Sequence, residues 1–87
     1  MPGVSRVTTD TAGGQITGLQ VPTVLVNGQP IVVKGDKVAP HGPGAHASAV
    51  MVGCSSTVFG GGIAVCRAGD QASCLDVATG SANVFAG

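Results

Sequence analysis

Tryptophan and tyrosine are both missing from this 87-residue chain, and phenylalanine occurs only twice. No platform for stacking nucleobases can be assembled from such a set. Charge is equally scarce. Four basic and four acidic residues cancel, and charged residues make up 9% of the sequence. A nucleic-acid binder needs a basic face, so that partner class is excluded. No apolar run approaches the roughly 18 residues that a membrane-spanning helix requires. No secretory leader opens the chain, because Met1-Pro2-Gly3-Val4-Ser5-Arg6 runs straight into polar residues. Synthesis in the reducing cytoplasm is therefore expected. Cysteine occurs three times, an odd number, at spacings that suggest no disulfide framework. A metal rather than disulfides is the expected staple. Nucleophile-elbow, Walker and dinucleotide patterns are all lacking, so no enzyme is expected.

What is present is small and apolar. Hydrophobic residues make up 44% of the chain, and there are fifteen glycines and five prolines. That composition argues against long helices. The length allows a single domain over residues 1–87. A domain of this size exposes much of its surface whatever its fold. With so little charge to coat that surface, part of it is expected to be covered by a partner.

Repetition organises the sequence. Residues 22–36 laid over 56–70, an offset of 34, match at Thr23/Thr57, Val24/Val58, Gly28/Gly62, Gly35/Gly69 and Asp36/Asp70. A third copy is split between the two ends. Asp10-Thr11-Ala12 matches Asp70-Gln71-Ala72, and Ala82-Asn83-Val84-Phe85 matches Ser56-Thr57-Val58-Phe59. Each copy reads as strand, tight turn, strand and Gly-Asp turn. Asn27-Gly28 is a strong hairpin signal, because both residues tolerate positive φ. Gly60-Gly61-Gly62 holds the equivalent turn. Gly35-Asp36 and Gly69-Asp70 are structural turns, with Asp accepting hydrogen bonds from nearby backbone N–H groups. Lys34 and Arg67 precede these turns, either to pair with the Asp residues or to solvate the surface.

Three like units can surround a pseudo-threefold axis and send their post-Asp loops to one end. Gly14, His41 and Cys74 would then meet. His41, His46 and Cys74 are the candidate metal ligands, since zinc takes imidazole nitrogen and thiolate sulfur in a tetrahedron. The fourth position is open to Cys54, Asp76 or a water. Cys66 aligns with Val32 inside a strand and reads as a buried small hydrophobe.

The order of these pieces resembles the PAAR-repeat proteins, the pointed tips of type VI secretion systems, contractile phage tails and related injection machines. The matching segments are Pro22-Thr23-Val24-Leu25-Val26-Asn27-Gly28-Gln29-Pro30, Val33-Lys34-Gly35-Asp36, His41-Gly42, Ser56-Thr57-Val58-Phe59, Arg67-Ala68-Gly69-Asp70, Ser73-Cys74 and Ser81-Ala82-Asn83-Val84-Phe85. The resemblance implies an all-β fold: a small cone of short hairpins with one zinc ion, or less readily iron, near its vertex. It implies that the base caps a trimeric VgrG-like or phage-spike β-helix for membrane piercing. The tip would be made in the cytoplasm, assembled into the particle and delivered on firing. The alternatives are an adaptor docking toxin effectors on the spike, and a stand-alone zinc-binding module. With no further domain in the sequence, a bare tip is expected. The chain departs from the family in lacking Gly before Asp10 and in having two histidines where members usually have three.

Overall fold

Short two-residue strands are what a chain this rich in turn formers can sustain. A computed structural model describes residues 2–86. Its named strands are β1 (Thr11–Ala12), β2 (Gly14–Gln15), β3 (Leu25–Val26), β4 (Gln29–Pro30), β5 (Phe59–Gly60) and β6 (Ile63–Ala64). They pair as three antiparallel hairpins, β1–β2, β3–β4 and β5–β6. The β3–β4 turn sets Asn27 at φ 55° and Gly28 at φ 81°. Positive φ at both centres matches the right-handed twist of the flanking strands. Gly61 and Gly62 do the same at φ 60° and 82°. The turn is thus one residue shorter than expected, because Gly60 belongs to β5.

The third hairpin of this kind is made by the two chain ends. Gly3 bridges Phe85, and the Val4 N–H donates to the Val84 carbonyl at 2.8 Å. Ile31 N–H to Val24 and Val65 N–H to Val58, both 3.0 Å, are its counterparts. The three inner strands then close on one another in a ring. Ser5 N–H donates to Cys66 O (3.0 Å), Cys66 N–H to Val32 O (2.8 Å), and Val32 N–H to Ser5 O (3.0 Å). All three residues are fully buried. A cyclic triplet of hydrogen bonds between equivalent residues defines the pseudo-threefold axis, and further triplets lie on either side of it. Unpaired backbone groups buried here would be costly, so this ring is what lets three short strands meet without a sheet.

Each inner strand ends in an Asp turn. Backbone N–H groups of Arg6, Val33 and Arg67 donate to Asp10, Asp36 and Asp70, each at 2.8 Å. Arg67 also forks onto Asp70 through Nε and a terminal nitrogen at 3.0 Å. Arg6 does the same to Asp10. Burial pushes the Asp10 carboxyl up, but hydrogen bonds from Arg6 and Thr79 outweigh it and leave the pKa lowered. At Asp36 the partner is the Gln20 amide at 2.9 Å rather than Lys34. The first turn carries one extra residue, spanning Arg6 to Asp10. Thr8, at φ 66°, takes up the left-handed backbone that Gly35 and Gly69 provide in the others.

Two apolar clusters lie on opposite sides of the ring. One, on the hairpin side, contains Val4, Val21, Val26, Ile31, Val33, Val65 and Ala86. The other, on the Asp-turn side, is built around Val7, Ile16, Val38 and Met51, with Ala12, Ala72 and Ala78. The segments 21–31, 54–66 and 79–86 contain no charged residue, so every charged side chain lies at the waist or beyond it.

The cysteines correct three expectations, the first being that no disulfide would staple the chain. Cys54 and Cys66 form a disulfide, so Cys66 is not a free apolar side chain and Cys54 is not a ligand. Only Cys74 is free. The bridge closes the β5–β6 hairpin into a loop with a sequence separation of 12. By loop-closure entropy such a loop contributes roughly 2–3 kcal/mol. Cys54→Ser/Cys66→Ser should therefore lower the unfolding free energy from urea titration by that amount, and reductant should lower the parent's midpoint but not the double variant's.

Candidate metal centre

At the end opposite the terminal hairpin, three loops of unequal length converge. The first unit turns in the least space, between Ala12 and Gly14, through Gly13 at φ 83°. The second unit makes a long excursion after Val38, and a 3-10 turn, Gly44–Ala47, lies within it. This excursion is pinned at its neck, where the His41 N–H donates to the His46 carbonyl at 3.1 Å. The two imidazoles are brought edge to face, with ring centroids 4.8 Å apart. The third unit contributes a four-residue loop, with Leu75 N–H donating to Ala72 O at 2.9 Å. Cys74 and Asp76 flank Leu75 in it.

His41, His46, Cys74 and Asp76 each offer one donor atom, and these atoms all lie within 4.8 Å of one another. His41 Nε2 is 2.8 Å from Asp76 Oδ2, 3.0 Å from His46 Nδ1 and 3.7 Å from Cys74 Sγ. Asp76 Oδ2 is 3.4 Å from that sulfur and 3.2 Å from His46 Nδ1. Four donors held about 2.0–2.3 Å from one ion stand roughly 3.3–3.8 Å apart at tetrahedral angles. The five distances, 2.8 to 3.7 Å, run from somewhat below that range into it. Two neutral imidazoles, a thiolate and a carboxylate also balance a divalent charge. The residues present therefore fit a metal of the zinc type. Cys74 is buried, the His41 side chain is 16% exposed, and those of His46 and Asp76 are more open.

The surroundings orient the donors. His41 Nδ1 lies 3.0 Å from the Ala39 carbonyl. With the proton there, Nε2 keeps its lone pair toward the cluster, the usual arrangement behind a ligating imidazole. The hydrogen bond to Ala39, then that to Asp76, raises the His41 pKa. The Asp76 carboxyl is lowered by its hydrogen bonds with His41 and then Cys74.

All three candidate residues from the sequence are thus brought together. So is Asp76, which was one of three options for the remaining place. Sequence reasoning missed the part played by Gly13. A Cβ built there would clash with Asp76 Oδ2, and would stand 2.6 Å from His41 Nε2. At Gly14 it would stand 2.8 Å from His41 Nδ1. The first unit supplies room rather than a ligand.

Three related hairpin units thus carry a mixed N, S and O donor cluster at one end. The PAAR motif family model matches residues 8–77, and the chain belongs to that family. No curated protein matches the sequence. Proteins with this motif are structural spike components, and membership gives the chain a spike-tip-related role in an injection machine, in association with its spike.

Proposed function

We propose that the protein caps the blunt end of a trimeric, VgrG-like β-helical spike and gives it a metal-fixed point for piercing a target membrane. The observation that carries the docking half of this reading is the threefold apolar base. Val4, Ile31 and Val65, each one residue before the ring residues Ser5, Val32 and Cys66, line a depression of about 230 Å³. Val24, Val58 and Val84 line it in the same threefold order. Leu25, Phe59 and Phe85 stand beside it, 56%, 59% and 51% exposed. A single chain with this base can present the same contact to each of three identical subunits. Exposed apolar side chains in threefold array, without a charge among them, do not stabilise a monomer and fit a covered surface.

The vertex half of the reading assigns His41, His46 and Cys74 as ligands of one zinc ion. When bound, the ion cross-links loops of two units that have little core of their own. The chain's own part is to hold the donors. The Ala39 carbonyl fixes the His41 tautomer, the 3-10 turn aims His46, and burial keeps Cys74 from solvent. A narrow vertex held in this way transmits contraction force without splaying.

Mixing the purified protein with the spike protein of its own host's machine tests the cap. One tip per spike trimer is the expected stoichiometry by light scattering. Failure to form any complex with that spike at micromolar concentrations would overturn the cap reading.

A further inference from the structure

The geometry points to Asp76 as the fourth metal ligand, with Gly13 as the residue that makes its place. This rests on the metal reading just given. Three observations carry it. The first is that one atom, Asp76 Oδ2, faces all three other donors, at 2.8 Å from His41 Nε2, 3.2 Å from His46 Nδ1 and 3.4 Å from Cys74 Sγ. A carboxylate that merely paired with a histidine would not need to face the thiol and the second imidazole as well. Of the other options for this place, Cys54 is taken by its disulfide with Cys66.

The second observation is the backbone between the two donors of the third unit. Leu75 adopts φ 74°, a left-handed conformation that a branched side chain rarely takes. Its side chain is 73% exposed, so packing does not account for the conformation. Strain of this kind persists where the surrounding structure imposes it, and here it brings Cys74 and Asp76 onto the same cluster.

The third is the threefold comparison. The second unit sends two donors to the vertex and the third unit sends two. The first unit sends none, and its Gly13 lies where any β-carbon would collide with the carboxylate oxygen. The missing side chain and the added carboxylate occupy one place. The ion is then held by two nitrogens, one sulfur and one oxygen. It links the second and third units directly, and the first only through the glycine turn packed over it.

Metal affinity measured by chelator competition on the full-length protein tests this, with Zn²⁺ and with Co²⁺ as a spectroscopic probe. Losing an outer-shell partner typically costs 10–100-fold in affinity, so losing a ligand should cost at least about 100-fold. Asp76→Ala is expected to show that loss, and its Co²⁺ spectrum should move from four-coordinate toward higher coordination as water enters. Asp76→Asn keeps the shape and should weaken binding in the same direction, which covers the case of an alanine variant that folds poorly. Gly13→Ala should weaken binding in the parent and weaken it by less once Asp76 is alanine, because one of its two clashes is then gone and the one with His41 Nε2 remains. Unchanged affinity and an unchanged Co²⁺ spectrum in both Asp76 variants would overturn the assignment, as would independent effects of Gly13→Ala and Asp76→Ala. A parent protein that takes up neither ion would instead remove the metal reading beneath it.

Discussion

Cys74→Ala and His41→Ala are expected to leave purification with almost no zinc, against about one ion per chain for the parent. Both should melt far below it. An ion bound only by the folded state stabilises by RT ln(1 + [M]/Kd), about 4 kcal/mol when the metal stands at a thousand times its Kd. In a domain of this size each 1 kcal/mol moves Tm by about 4–8 °C, so a fall of more than about 15 °C is expected. Chelating the parent should reproduce it, while chelator should do nothing further to the variants. Elemental analysis and calorimetry on the same samples provide the check, and full metal content in both variants would end the ligand assignment.

The pH dependence separates metal from a simple ion pair by sign. Without metal, the cluster is a His41–Asp76 pair with His46 also facing the carboxylate. The His41 pKa is raised, first by the Ala39 carbonyl and then by Asp76, so that contribution is complete below about 6.5, the ordinary imidazole value, and disappears as pH rises through the folded value. The Asp76 carboxyl pKa is lowered, so that contribution is present above about 4 and disappears as pH falls through the folded value. The apo protein therefore gains from this pair between about pH 4 and 6.5, and loses that gain toward neutrality. Metal binding requires deprotonated ligands and runs the other way. From pH 5.5 to 7.5, Tm should rise with zinc present and should not rise at this site with chelator. Parallel curves would argue for the ion pair alone.

What could be read in the sequence was what local backbone preference or repetition encodes. Asn27-Gly28 declares a hairpin because the preference for left-handed backbone is a property of those two residues. The offset of 34 placed Val32 and Cys66 at equivalent positions, and both sit on the ring at the axis. The split third copy was legible because Asn83-Val84-Phe85 keeps the pattern of its relatives, and the chain ends do meet. Partners that arrive from elsewhere in the chain were not legible. Nothing near Asp36 announces that Gln20, sixteen residues before it, satisfies its carboxylate. Cys54 could be paired with Cys66 only by knowing that the β5–β6 hairpin closes on itself at that point. Thr8 gave no sign that it would stand in for a glycine, since its conformation is imposed by the extra residue between Arg6 and Asp10. Gly13 was the hardest to see, because its contribution to the vertex is the absence of a side chain. Such a role becomes visible only when the neighbours His41 and Asp76 are in place.

Replacing Leu25, Phe59 and Phe85 together by Asp is expected to abolish spike binding while leaving the fold intact. The two readouts separate because of where these residues stand. All three are more than half exposed, and exposed substitutions usually change stability by no more than about 0.5 kcal/mol each. In the proposed complex the same side chains become buried against three subunits. Aromatic anchors at the centre of an interface typically cost 2 kcal/mol or more when truncated. Burying an unpaired carboxylate in their place costs roughly 3–5 kcal/mol at each position. Even one such substitution should weaken binding by about a hundredfold or more, and the threefold arrangement predicts comparable losses from Leu25→Asp, Phe59→Asp and Phe85→Asp taken singly. Zinc content and Tm should stay near the parent's, since the metal cluster lies beyond the ring of Ser5, Val32 and Cys66. A control at an exposed position away from the base, Ser48→Asp, should bind as the parent does. If the triple variant still capped the trimer with unchanged affinity, the contact would have to lie on another face. The charge-free hairpins would then be left without the partner their surface chemistry calls for.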